Sequence, residues 1–579
     1  MSILRLPEKF TLKLLGSFYL NGGEYMDEVR NYLIETPIGI SDYVKKFPNL
    51  IFSPISSRLT VLEVSEKAQG EFQELQKEIA SIYEPMLFGL NAIQAVEQSN
   101  IALFHNYSFG ELRGTGVIVG FIDTGIQYTN SLFTYEDRTT RIMSIWDQSI
   151  EGNGTGLYNY GTVYTSEDIN AALSSPEPLN VVPSTDVDGH GTALAAIVAG
   201  NERGVPGGYV GGAPDADIAV VKLRPASKYL RDLNLIKEGA LAYQENDYLT
   251  GINYLLQLAS SKGKPLVICT AIGTNQGGHD GRTIVERYLE EASTFENIIF
   301  VLSGGNEANQ GHHFSGTVGQ GNTSLFEINV GTEERGFVMD LWSSTPDKLT
   351  VSIRTPLGET TGKIPINAIQ IQEYNFPLEN SKVEVQYIRS ETTSGDQSIR
   401  FRFITPTLGI WAITVYGETV VSGNYNVWLP RQGFIGEDTR FLQPDVNMTI
   451  TTPGNALDNI TIGAYNGIDQ SIYAGSSRGP TRTKVIEPAI IAPGVNVEVP
   501  NLIGGFTTYS GTGVATAVTA SACALLLEWA ILKDNLPLIN TRVARTILIR
   551  GARRSPNTVY PNTIEGYGKL NFQNSLMLV

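Results

Sequence analysis

The sequence predicts an α/β protein: a parallel β-sheet flanked by helices, with an α+β domain before it and a β-sandwich, jelly-roll-like, inserted within it. Three observations predict this. From Thr115 onward, short apolar runs ending in Gly or Asp alternate with small-residue helical stretches. Between about Phe326 and Pro444 the pattern changes to short alternating strands, and the first hundred residues mix strand-like and helix-like segments. With 579 residues, 42 % of them hydrophobic, the chain is long enough for several cores. The domains are set at residues 1–100, 101–325, 326–444 and 445–579, the second and fourth being two parts of one α/β core.

In the first domain, Arg30 to Ile40 and Leu50 to Val64 read as extended. Between Lys67 and Tyr83, Phe72, Leu75, Ile79 and Ile82 recur at helical intervals, and Glu84 to Ile101 is a junction. GTGVIVGFIDTGI, Gly114 to Ile126, reads as a buried parallel strand delivering Asp123 at its C-terminal end. DVDGHGTALAAIVAGN places His190 between Gly189 and Gly191 where a packed helix begins. KPLVICTAIGTNQGG is a strand followed by a glycine-bearing loop, and IIFVLSGGNEANQGHH is a buried strand ending in Gly-Gly-Asn, with Asn306 last. The insert is carried by LTVSIRT, KVEVQYIR, IRFRFIT, IWAITVYG and YNVWLP. It holds no catalytic cluster and is assigned to stabilisation or partner contact. The α/β pattern resumes at Thr451 and runs to YSGTGVATAVTASACALLLEWA, a glycine-rich turn entering a long apolar helix with Gly513 at its start.

Charge and composition narrow the function classes. A formal net charge of −17 argues against nucleic acid or an anionic membrane as the main partner, since both need a basic face. Cys269 and Cys523 sit in apolar surroundings and support neither a disulfide framework nor a thiolate metal site. No metal-ligand cluster stands out, His312 and His313 read as loop residues, and no cofactor is implied. Charges at Arg5, Glu8, Lys9 and Lys13 interrupt any signal-peptide core, so synthesis without export is expected. The apolar run Ala520 to Leu527 is too short to span a bilayer, so no membrane span is expected.

Asp-Thr-Gly, His-Gly-Thr, Gly-Asn and Gly-Thr-X-X-Ala occur here in the order shown by the subtilisin-type serine proteases, and the chain resembles that family over about 115–325 and 445–575. SSRGPTRTKVIEPAIIAPG resembles two further family signatures, departing from them at Glu487 and Ala489. The resemblance implies that His190 is the general base, Asp123 its orienting acid and Asn306 an oxyanion donor. It also implies that Ala271, Ile272, Gly273 and Thr274 lie along the substrate backbone, and that residues 1–100 form a prodomain serving as folding template and inhibitor. The serine position is Gly513. Within the family, a retained prodomain, a β insert between Asn306 and the nucleophile position and no export signal are most similar to the Csp proteases of clostridial spores. That likeness implies a role in spore germination, where an active Csp protease cleaves the zymogen of a cortex-degrading hydrolase and pseudoprotease members signal without cleavage. The sequence is therefore read as a catalytically silent member incorporated into the spore. Its partners would be its own prodomain in the cleft and a protein substrate or signalling partner. The alternative is a nucleophile-to-Gly form of an active, self-processing endopeptidase.

Overall fold

A computed structural model describes residues 29–36, 40–79, 81–90, 101, 105, 111–203, 205, 208–332, 334–367 and 370–579. The N-terminal charges and most of the junction fall outside them.

The core is an eight-stranded sheet in the order Ile490–Pro493, Ile460–Tyr465, Ile298–Ser303, Leu266–Thr270, Ile118–Asp123, Asp217–Lys222, Ile142–Asp147, Thr162–Thr165. The first seven are mutually parallel and the last is antiparallel. Helices cover both faces, which explains why the central strands are continuous apolar runs and not alternating ones. Every residue of Ile118–Asp123 is buried. Its period of two sends Ile118 and Ile122 toward helix Glu245–Lys262, and Val119 and Phe121 toward helices His190–Ala199 and Thr512–Leu527. Asp123 continues the second set and so emerges beside the two helices that carry His190 and Gly513.

Thr512–Leu527 is buried along its whole length and continues into a wider turn, Glu528–Leu532. Its hydroxyls do not interrupt it: Thr516, Thr519 and Ser521 donate to the carbonyls four residues back at 2.8, 2.8 and 3.0 Å. Thr512–Leu532 is thus long and apolar enough by length and composition to cross a membrane, longer than the Ala520 to Leu527 run suggests. Its most apolar window is 89 % buried inside the fold, as befits a core helix.

Residues 30–83 form a four-stranded antiparallel sheet in the order Ile51–Pro54, Leu59–Val64, Arg30–Glu35, Ile82–Tyr83. One face, with Tyr32, Ile34, Leu62 and Val64, packs under Phe72 and Leu75 of helix Gln69–Leu75. The other, with Leu33, Leu59 and Val61, packs on the α/β core beside Tyr248 and Ile252. The helix is shorter than its apolar spacing suggests, because Ile82 leaves the helical pattern to pair with Ile34 as an edge strand.

The insert is a sandwich of two antiparallel sheets. Six strands run in the order His313–Thr317, Asn424–Trp428, Gly336–Ser343, Gln397–Ile404, Ser381–Ile388, Gln372–Phe376. Four run Lys348–Arg354, Gly409–Thr419, Thr323–Val330, Arg440–Phe441. One apolar core lies between them. The sandwich starts at His313, earlier than residue 326, because His313–Thr317 pairs with Asn424–Trp428 across the insert's two ends. That pairing brings entry and exit together beside the α/β core, where Trp428 stacks on His279 at 4.1 Å and on His313 at 4.9 Å.

Candidate active site

The site is assembled at the C-terminal ends of the parallel strands, where open α/β sheets place their ligands. His190 Nδ1 lies 2.7 Å from Asp123 Oδ1, and both side chains are buried. Asp123 Oδ1 also accepts the Thr124 N–H at 2.7 Å, which orients the carboxylate. The helix that starts with His190 is fixed by Asp186: Oδ1 accepts the Gly189 N–H at 2.8 Å, and Oδ2 accepts the N–H and hydroxyl of Thr192 at 2.9 and 2.7 Å. Those are first-turn donors that would otherwise lack partners. Gly191 is required by space, since a Cβ there would stand 2.2 Å from the Gly125 carbonyl oxygen. The Asp-x-Asp-Gly-His-Gly-Thr run therefore serves one purpose, presenting imidazole to Asp123.

Strand Ile298–Ser303 ends in a turn that brings Asn306 to the start of helix Thr512–Leu527. Asn306 Oδ1 accepts the Thr512 N–H at 3.0 Å and the Thr512 hydroxyl at 3.1 Å. With Oδ1 so occupied, Nδ2 is the donor end of the carboxamide, the atom that an oxyanion needs. Gly513 is the second residue of the helix and is buried. Neighbouring hydroxyls are committed elsewhere. Thr512 Oγ1 bonds Asn306 and accepts the Gly305 N–H at 3.1 Å, and Ser510 Oγ accepts the Asn496 N–H at 3.2 Å.

The cleft beside these groups is filled by the chain itself. Leu87–Leu90 forms the middle strand of a three-stranded antiparallel sheet, between Tyr243–Gln244 and Ile272–Gly273. Gly89 pairs with Gly273 and Leu90 with Ile272, while Phe88 pairs with Tyr243. The Phe88 ring is fully buried, 5.4 Å from that of Tyr248. Of the four residues expected along the substrate backbone, Ile272 and Gly273 meet this strand. Ala271 is buried behind it, and Thr274 pairs with Thr452 instead. The facing strand Tyr243–Gln244 escapes sequence reading because two residues carry no periodicity. His312 and His313 are buried in hydrogen bonds: His312 Nδ1 is 2.9 Å from Glu307 Oε2, and His313 Nε2 is 3.0 Å from Asn426 Oδ1. Among the described residues no group of three or more His, Cys, Asp or Glu side chains is placed to hold a metal ion.

Glu245 anchors the segment entering the cleft, accepting the Met86 N–H at 3.0 Å on Oε2 while its own N–H donates to the Met86 carbonyl at 2.8 Å. Burial pushes its carboxyl up to about 7, and burial does the same to Glu286 and Glu487. A carboxyl held above its unfolded value contributes stability that is complete below about pH 4.5 and is lost as pH rises through about 7. Thermal unfolding scans should show the midpoint falling between pH 5 and pH 8. Each such group accounts for on the order of 1–3 kcal/mol, and Glu245→Gln should flatten the profile. A midpoint rising over that interval would contradict the assignment.

The Subtilase family profile matches residues 114–372 and 420–568, most of the α/β core together with parts of the insert. This chain belongs to the subtilase family. In three dimensions it is similar to the CspB protease of Clostridium perfringens, with a TM-score of 0.75, 29 % identity and coverage of 84 % of this chain and 97 % of that one. The serine protease AprX of Bacillus subtilis (strain 168) is 33 % identical over 153 residues, 23 % of this chain and 33 % of AprX. Mouse membrane-bound transcription factor site-1 protease is 30 % identical over 138 residues, 23 % of this chain and 12 % of that protein. The chain thus spans a third or less of the length of these curated relatives. The fold is subtilisin-like and of the Csp type.

Proposed function

We propose that this subtilase is catalytically silent, with Gly513 at the nucleophile position, and that it acts in spore germination by binding a partner or signal through the cleft, the prodomain or the β insert, not by cleavage. One observation supports this above others. Asp123 and His190 are paired at 2.7 Å, Asn306 is bonded to the helix start, and the residue that the helix presents to them has no side chain. In a serine-bearing relative the hydroxyl attacks the scissile carbonyl, His190 takes its proton, Asp123 stabilises the imidazolium, and Asn306 receives the oxyanion. Without Oγ no acyl-enzyme forms, and loss of a subtilisin nucleophile lowers kcat by about 10⁶. The prodomain then stays attached, its strand Leu87–Leu90 occupying the groove. A protein partner in the spore is the remaining expectation, with synthesis in the cytoplasm.

The intact Asp–His pair favours a second reading. The same cleft belongs to an endopeptidase that would process its own prodomain and cleave a cortex-hydrolase zymogen were a serine present. Both readings give the same expected result for the unaltered chain. After prolonged incubation it remains a single uncut polypeptide by intact mass and takes no label from a fluorophosphonate that acylates serine proteases. Two fragments from a protease-free preparation, or labelling lost on His190→Ala, would refute silence.

A further inference from the structure

Arg431 lies just beyond the insert's strand Asn424–Trp428, yet its side chain is buried against the cleft. Nη2 donates to the Leu90 carbonyl at 2.6 Å, Nη1 to the Gly273 carbonyl at 3.2 Å, and Nε to the Gln432 carbonyl at 3.3 Å. The fork therefore bridges the two strands of the cleft. Burial lowers its pKa, against the pull of the Glu307 carboxylate. The loop that carries it is tied to the residue after Asn306: Glu307 Oε1 accepts the Gln432 N–H at 3.1 Å. Glu307 Oε2 accepts from His312 Nδ1 at 2.9 Å and from Asn275 Nδ2 at 3.1 Å. The guanidinium lies across Gly89. A Cβ added there would stand 2.7 Å from Nη1, 3.0 Å from Cζ and 3.2 Å from Cδ of Arg431.

We propose that Arg431, a residue of the insert's exit loop, makes the cleft selective for an extended peptide with glycine at the position facing Gly273. The peptide class follows from the surrounding strand: a buried aromatic residue before the glycine, where Phe88 sits, and a residue after it whose carbonyl takes the Arg431 fork, where Leu90 sits. This chain's own strand Leu87–Leu90 meets the pattern, and a second protein entering the cleft must present it too. A β-carbon at the glycine position displaces the guanidinium, and the Leu90 and Gly273 carbonyls lose charge-assisted donors in a buried setting. The insert thereby acts on the substrate groove as a positioning element. The inference rests on reading the groove as a peptide site and is independent of whether Gly513 silences it.

The test is hydrogen exchange of the backbone amides of residues 86–90 in the full chain, read by mass spectrometry for the unaltered protein, Gly89→Ala, Arg431→Ala and the double variant. Gly89→Ala should speed exchange by about 10- to 100-fold, the range set by charged hydrogen bonds. In the Arg431→Ala background the same change should add less than about 3-fold, because the new methyl meets no guanidinium. Unchanged exchange in Gly89→Ala would overturn the proposal, as would an equal acceleration in both backgrounds. Should Arg431→Ala lose cooperative melting, the single Gly89→Ala variant still decides, since unchanged exchange there overturns the proposal by itself. Peptidase activity in the unaltered chain would overturn silence at Gly513 and leave this cycle unchanged.

Discussion

Gly513→Ser is expected to turn the single uncut chain into two fragments, with cleavage between residues 85 and 105 at a rate up to about 10⁶ above that of the unaltered protein. The reason is geometric. His190 Nδ1 is already 2.7 Å from Asp123, so the imidazole is held in the orientation that leaves Nε2 as the base. Asn306 is already bonded to Thr512, so the hole does not wait on the serine to form. Leu87–Leu90 already lies as an antiparallel strand against Ile272–Gly273, which aligns the junction for attack. Adding one hydroxyl to a preorganised site should thus recover most of what its removal cost. The measurement is fragment mass and N-terminal sequence over time, with Gly513→Ser/His190→Ala as control. An uncut Gly513→Ser chain with native melting behaviour would mean that the cleft has lost more than its nucleophile, and the endopeptidase reading would fall.

The parts of this site that are legible in the sequence are those fixed by local geometry. Asp123 is announced by an apolar run that is buried on both sides and must end where the sheet ends. His190 is announced by its flanking glycines, Gly189 holding a left-handed φ of 95° and Gly191 leaving room for the Gly125 carbonyl. Five insert strands are visible because they alternate between a shared core and an outer face. What escapes reading depends on long-range partners. Gly336–Ser343 is buried at every position and carries Asp340 in its interior, an unlikely strand until Arg400 arrives opposite it with two hydrogen bonds at 2.7 and 2.8 Å. Arg431 gives no local sign either. The acceptors that tie it to the cleft are on Gly273 and Leu90, 158 and 341 residues away in sequence. The domain without a catalytic cluster thus reaches the groove through one loop residue.

Arg141 provides the largest expected loss of stability. It is fully buried, and burial pushes its guanidinium down to about 10 while leaving it charged at neutral pH. Nη1 donates to the carbonyls of Pro214 at 2.8 Å and Ala216 at 3.2 Å; Nη2 donates to those of Leu132 at 2.6 Å and of Ala199. Ala199 ends the helix that begins at His190, so the cation satisfies a C-terminal carbonyl of the helix presenting the base and complements its dipole. Arg141→Met keeps most of the apolar length and removes the donors. Two effects oppose each other: the cost of burying a charge disappears, and four inward-facing carbonyls lose a partner. The second should win. The Leu132 carbonyl keeps the Asn201 N–H and the Pro214 carbonyl keeps the Asn201 side-chain amide. The loss falls on the Ala199 and Ala216 carbonyls at about 1–3 kcal/mol each, giving a net loss of about 2 kcal/mol or more. Urea unfolding followed by tryptophan fluorescence should show the core transition moving to lower denaturant. In the Gly513→Ser background, self-cleavage should slow as the His190 helix loses its fixed end. A loss below about 1 kcal/mol would show that water takes over the Ala199 and Ala216 carbonyls, and the helix would then owe its position to Asp186 and the sheet alone.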